Sequence, residues 1–234
     1  MKIYITIFII LVATAILLRG GEIVKNWRYA FSENAYIDYQ IKYQSLLLVT
    51  AFVVLVLTYF LNKENFTSLF SIGNINARTE ELSLFGIKKG DKWLETGLSL
   101  SLIITLVTAI FMYFQLKQYA VNWQLLLQGM GWIVLFSLTN SFGEEAIYRI
   151  GIVSPLKGLI APVTVFLISA VLFGVPHFGG MPSGVIGVVM AGVLGFVLAK
   201  SVYETNGIFW AWFIHFLQDV VIIGSIYLMK TVGD

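Results

Sequence analysis

The 234-residue sequence contains no cysteine. Disulfide bridges, thiolate metal sites and a cysteine nucleophile are therefore excluded. Charged residues make up only 12% of the chain, and the formal net charge of +2 is too small to indicate a nucleic-acid partner. Two histidines occur in the whole chain, so any histidine chemistry depends on His177 and His215.

Hydrophobic residues make up 58% of the chain, more than an ordinary soluble domain of this size contains. Several apolar runs approach the ~20 residues that are needed to cross a hydrocarbon core of about 30 Å. These runs do not alternate apolar and polar residues, as the strands of a membrane barrel do. The sequence predicts an all-α polytopic membrane protein, a bundle of about seven transmembrane helices embedded in the lipid bilayer.

Apolar runs and turn signals together give the boundaries of the predicted spans. Pro155 is expected to end the fourth span, and Pro162 is suited to the first turn of the fifth. The first run is short for a span, and a cleaved signal peptide is the alternative to an uncleaved first helix, which we favour. The predicted spans are 3–18, 43–61, 94–115, 123–154, 162–176, 184–202 and 208–229, with longer polar connections at 20–42 and 62–93.

The connection 62–93 carries five cations, which predicts that it is cytoplasmic, with the amino terminus inside and the carboxyl terminus outside. Cations around the first connection, such as Arg19 and Lys42, weaken this assignment. We divide the chain into residues 1–93, with about two helices and the cytoplasmic connection, and residues 94–234, a membrane core of about five helices.

Ionisable residues are rare in the later spans. A charge at mid-membrane costs about 2.5–3.5 kcal/mol on insertion scales, so such residues persist where they pair or where they function. Each one alone can be explained as a structural ion pair or a hydrogen bond between helices, but the group together favours a site. The residues are Glu144, Glu145, Arg149, His177, His215 and Asp219.

Helical spacing predicts how these residues are arranged. Glu145 and Arg149 are four residues apart and share a stripe, whereas Glu144 is rotated by ~100°. A rise of ~1.5 Å per residue places Glu144 and both histidines within the bilayer at similar depths. We therefore expect His177 and His215 to lie within about 12 Å of each other, close enough to share a water and a substrate.

Three short motifs resemble those of the CPBP family, the CAAX proteases and bacteriocin-processing enzymes that are also called Abi proteins. "EEAIYR" (144–149) resembles the family's E-E-x-x-x-R, "FGVPH" (173–177) its F-x-x-x-H, and "HFLQD" (215–219) its H-x-x-x-N/D. The resemblance covers about 94–229. It departs from the family pattern at Ile150, where many members have glycine.

The resemblance implies an intramembrane endopeptidase that acts on a membrane-associated peptide or protein. It implies that Glu144 and His177 activate water, and that His215 and Asp219 stabilise the oxyanion. The second glutamate and the arginine of the first motif would hold the geometry. A small chain of this kind is expected in the cell membrane, as a multi-pass protein of the bacterial cytoplasmic membrane, with the site inside a C-terminal four-helix core.

Dependence on a metal is open at this stage. The imidazoles of His177 and His215 and the carboxylate of Glu144 could hold a divalent metal such as zinc. No HExxH helix is present, and the family has a competing metal-free mechanism based on glutamate. We favour the absence of a tightly bound metal or other cofactor.

Two other functions compete with proteolysis. One is a catalytically silent membrane scaffold or bacteriocin-immunity protein of the same fold. The other is a transporter with an acidic site within the membrane, which inverted repeats or broken helices in matching halves would favour. The sequence has no recognisable repeat of that kind, and its three motifs are intact.

Overall fold

The computed structural model describes residues 1–117 and 122–232, and these residues are almost entirely helical, without strands. Seven helical stretches in this part of the chain are long and apolar enough to cross a membrane, which confirms the predicted fold class. The described α-helices are α1 (Lys2–Lys25), α2 (Ala35–Leu61), α3 (Lys63–Leu69), α4 (Trp93–Leu116), α5 (Trp123–Glu145), α6 (Gly151–Leu156), α7 (Pro162–Gly174), α8 (Gly184–Thr205) and α9 (Phe209–Val232).

The first two helices are longer than the sequence predicted. The helix α1 continues to Lys25 and α2 begins at Ala35, so the predicted connection 20–42 is wrong and shrinks to 26–34. The Asn34 side chain accepts a hydrogen bond from a backbone N–H of the first turn and caps α2. Lys42, which suggested a loop, pairs with Asp38 one turn away at 2.6 Å.

Proline predicts the start of one helix correctly and the end of another incorrectly. Pro162 occupies the first turn of α7, as predicted. Pro155 does not end the preceding helix but lies inside α6, which continues to Leu156. The fixed φ of proline is compatible with a helix. The missing N–H removes one backbone hydrogen bond close to the end of α6. The later helices also run past their predicted ends, α8 to Thr205 and α9 to Val232.

The segment formed by α5 and α6 passes through the middle of the bundle. Every residue from 145 to 156 is buried, because α1, α2, α7 and α8 contact this part of the chain while α9 packs on α5. Glycines let α2 approach closely: a Cβ at Gly143 would lie 2.7 Å from Leu47 Cγ, and one at Gly151 would lie 2.9 Å from Val54 Cγ1. The helix α2 is thus packed directly against the segment that carries the first motif.

The connection 62–93 is folded against the ends of α8 and α9. The Lys200 ammonium donates to the Glu80 carbonyl at 2.7 Å, and the Trp93 indole N–H donates to Glu204 Oε2 at 2.9 Å. Lys200 and Glu204 also form an ion pair with each other. These contacts fix the connection to one end of the bundle. Its location in the cytoplasm stays a prediction.

We expect Glu204→Gln to lower the melting temperature, because it leaves Lys200, only 3% exposed, without its counter-charge. An unpaired buried charge of this kind costs about 3–5 kcal/mol. The matched control is Lys89→Gln, which removes an exposed ion pair with Glu80 and should change the melting temperature little. Equal melting temperatures for the two variants would contradict this description of the connection.

Candidate active site

A π-helical turn at Ala146–Ile150 follows directly after Glu145 and separates α5 from α6. The wider turn was not predicted, because the expected spacing of the motif residues was that of a regular α-helix. Within it, the Tyr148 carbonyl accepts a hydrogen bond from the Ser169 hydroxyl of α7 at 3.1 Å. Turns of this type are rare and occur often at functional sites.

Arg149, within this turn, is fully buried. Its Nη2 lies 3.0 Å from Glu145 Oε1, so the predicted ion pair is present. Within the described part of the chain no guanidinium nitrogen of Arg149 makes a hydrogen bond, so the contact with Glu145 is an ion pair alone. The guanidinium lies instead over the ring of Phe173, 4.1 Å from its centroid. Charge attraction and a cation–π contact therefore hold the arginine.

Phe173 also brings the two histidines together. The centroid of its ring lies 4.5 Å from that of His177 and 5.6 Å from that of His215. The two imidazole centroids cannot be farther apart than the sum of these distances, which is below the expected limit of about 12 Å. Both imidazoles therefore lie beside the same phenylalanine. The first residue of the F-x-x-x-H motif therefore contacts side chains of all three motifs.

His177 lies on the 3₁₀ turn Val175–Gly179, directly after the predicted end of the fifth span at residue 176. Its Nδ1 is 2.7 Å from the Phe173 carbonyl oxygen. A carbonyl only accepts hydrogen bonds, so this nitrogen carries the hydrogen and Nε2 of the neutral ring keeps a lone pair. The turn thus fixes a histidine that can accept a proton at Nε2.

His215 contacts three carboxylates. Its Nδ1 lies 2.7 Å from Glu145 Oε1, while Nε2 lies 3.6 Å from Glu144 Oε2 and 3.8 Å from Asp219 Oδ1. Glu145 therefore joins Arg149 to His215, a second contact that the sequence did not predict. The expected approach of Asp219 to His215 is present but is longer than a hydrogen bond.

The two glutamates face different surroundings, as their helical spacing predicted. Glu144 retains 15% side-chain exposure and lines a cavity of about 580 Å³, whereas Glu145 is fully buried behind it. His177, His215 and Asp219 line the same cavity. No nitrogen of His177 comes within 4.0 Å of a Glu144 oxygen, so any cooperation between them needs a molecule in between.

Two amide side chains extend the site and were missed. Asn140 Nδ2 donates to Asp219 Oδ2 at 3.2 Å, and Gln44 Nε2 of α2 donates to Asn140 Oδ1 at 3.2 Å. Neither residue is ionisable, so the small number of charges in the spans did not indicate them. Uncharged amides inside apolar spans are the signal that would have indicated both residues, because a buried amide also needs partners.

The donor geometry does not fit a metal ion. Within residues 1–117 and 122–232, no group of three or more His, Cys, Asp or Glu side chains is arranged to hold one. The three ligands suggested by the sequence, His177, His215 and Glu144, line one cavity without converging on a common point.

Residues 126–221 match the family model described as type II CAAX prenyl endopeptidase Rce1-like. The match confirms the resemblance to the CPBP family. It covers less than half of the chain but contains all three motifs, and the family also includes inactive members. Neither the curated proteins nor the solved structures gave a match.

Gly187 of α8 lies close to the His177 turn, because a Cβ there would clash with the Pro182 carbonyl oxygen and lie 2.7 Å from that of His177. Gly187→Ala should therefore displace the turn. With only two histidines in the chain, ¹⁵N-histidine labelling followed by NMR resolves the effect on each ring. We expect the His177 signals to shift.

The control is Gly192→Ala on the same helix, where the added carbon meets nothing closer than 3.4 Å. Its spectrum should match that of the unmodified protein. Unchanged His177 signals in Gly187→Ala would contradict the proposed contact.

Proposed function

We propose that the protein is an intramembrane endopeptidase that hydrolyses a peptide bond of a membrane-associated peptide or protein. One observation carries the proposal: Glu144, His177, His215 and Asp219 line a single cavity within a bundle of apolar helices. The match to the Rce1-like family supports CAAX-type protease activity in a multi-pass membrane protein.

Glu144 is proposed as the base. It is the glutamate of the pair that reaches the cavity, and a carboxylate there can take a proton from a water molecule as the water attacks the scissile carbonyl. His177 presents its Nε2 lone pair and can accept a hydrogen bond from the same water. The gap between the two side chains leaves room for that water and is consistent with this role.

His215 is proposed to stabilise the oxyanion that forms on the carbonyl oxygen. Glu145 accepts from Nδ1 and fixes the ring, so a proton on Nε2 would point toward the cavity. The nearby carboxylates balance the positive charge of the doubly protonated ring. A preorganised donor of this kind acts strongly in a site from which water is excluded.

Asp219 and the Glu145–Arg149 pair are proposed to act through His215 and not on the substrate. Asp219 lies near Nε2 and, as an ionised carboxylate, only accepts hydrogen bonds. Arg149 is shielded from the cavity and balances the charge of Glu145. The group therefore orients the imidazole and limits the number of unbalanced charges within the membrane.

One experiment should distinguish the roles of the two glutamates. Glu144→Gln keeps the shape and hydrogen bonding but removes proton acceptance, so it should abolish turnover with little change in melting temperature. Glu145→Gln leaves Arg149 buried without its counter-charge, at a cost of about 3–5 kcal/mol. It should lower both the melting temperature and the activity.

The test uses purified protein in lipid nanodiscs. Cleavage is followed with internally quenched peptides that end in a CaaX sequence, with and without a farnesyl group on the cysteine. If Glu144→Gln cleaved at a substantial rate, its role as the base would be wrong. An intact fold with no cleavage by the unmodified protein of either these peptides or membrane proteins would favour a silent member of the family.

Substrates should be cut where their backbone is extended. Inside a helix the carbonyl is engaged in a hydrogen bond, and releasing it in lipid costs several kcal/mol. We expect cleavage sites near the ends of spans or beside helix-breaking glycine and proline. Mass spectrometry of new peptide termini, with Glu144→Gln membranes as the control, checks this. Sites in the centres of unbroken helices would contradict it.

A further inference from the structure

Gln44 lies on the buried stripe of α2, which otherwise consists mainly of apolar and threonine side chains. It is 5% exposed. Burying an amide is unfavourable unless its hydrogen bonds are made, and Gln44 makes them. Its Nε2 donates to Asn140 Oδ1 and Gln40 Oε1. Its Oε1 lies 3.1 Å from the Thr139 hydroxyl, whose single hydrogen is also within reach of the Leu135 and Phe136 carbonyls. Both of its amide hydrogens are therefore used.

Asp219, Asn140 and Gln44 are connected in series by hydrogen bonds, so the orientation of one amide affects that of the other. The amino group of Asn140 faces Asp219, whose Oδ2 accepts its hydrogen bond. The carbonyl of Asn140 then faces α2 and needs a donor. Gln44 supplies that donor, and its own carbonyl oxygen faces the Thr139 hydroxyl.

We propose that Gln44 is a positioning residue of the active site, which holds Asp219 in place through Asn140 and so sets the surroundings of His215. This inference rests on the proposed peptidase function. It places a determinant of that function in α2, outside the family match at 126–221. Gln44 and Asn140 both line the cavity, but the contacts on which this role depends are with other side chains.

Gln44→Leu keeps the approximate size of the side chain and removes its hydrogen bonds. Asn140 is then free to turn, and Asp219 loses its fixed donor. We expect kcat to fall about tenfold with KM nearly unchanged, since the loss is that of one or two hydrogen bonds acting on the reaction centre. In an Asn140→Ala background the same substitution should have no further effect, because the connection is already broken.

The matched control is Thr50→Val, on the same helix. Thr50 is also buried, but its hydroxyl bonds only to the Leu46 carbonyl of its own helix. This variant should keep the kcat of the unmodified protein. A kcat that falls equally in Thr50→Val and Gln44→Leu, or effects of Gln44→Leu and Asn140→Ala that simply add, would overturn the proposal.

A second measurement does not need a substrate. In ¹⁵N-histidine-labelled protein, Gln44→Leu should shift the ring signals of His215, because Asp219 lies 3.8 Å from its Nε2. The signals of His177, held by a backbone carbonyl, should stay in place. Unchanged His215 signals would overturn the positioning role.

The two proposals can fail separately. If the unmodified protein cleaves the quenched peptides and Glu144→Gln does not, the peptidase function holds, and a normal kcat in Gln44→Leu removes only the positioning role. If no cleavage occurs at all, the peptidase proposal fails, while the His215 signals still decide whether Gln44 fixes the surroundings of Asp219.

Discussion

The ion pair between Glu145 and Arg149 is the interaction on which the site depends. A charge in the membrane interior is tolerated only when it is compensated, and here the compensation also builds the site. Glu145 uses one oxygen for both Arg149 and His215. Arg149 lies over Phe173, whose ring contacts both histidines. One buried pair and one aromatic ring therefore link the three motifs.

The two glutamates show how neighbouring residues of one type acquire different roles. Glu145 is enclosed by the bundle and balances charge, whereas Glu144 keeps some exposure and reaches the cavity. The helical period alone separates their directions. The proposed chemistry needs both, because a base in the cavity is useful only if the neighbouring imidazoles are held in place.

The number of spans, the ion pair and the ionisable residues within the later spans that line the cavity could be predicted from the sequence, because apolar runs are long and ionisable residues within them are few. The sequence did not predict the helical ends around residues 20–42, where Asn34 caps a helix that has polar residues in its first turns. It also missed the contact between Glu145 and His215 and the participation of Gln44. These depend on which helices are neighbours, and one sequence does not contain that information.

The π turn adds one residue to the segment formed by α5 and α6, compared with a regular α-helix of the same length. Glu144 and Glu145 precede this turn, and the main contacts with α1 lie within the turn and after it. The turn therefore affects how the two glutamates are rotated about the helix axis relative to the surface that packs against α1. Shortening the turn by one residue would preserve hydrophobicity and length of span, yet would rotate the glutamates relative to their partners by about a quarter of a turn. The number of residues in this turn, as well as their identity, therefore determines the direction in which the carboxylates point.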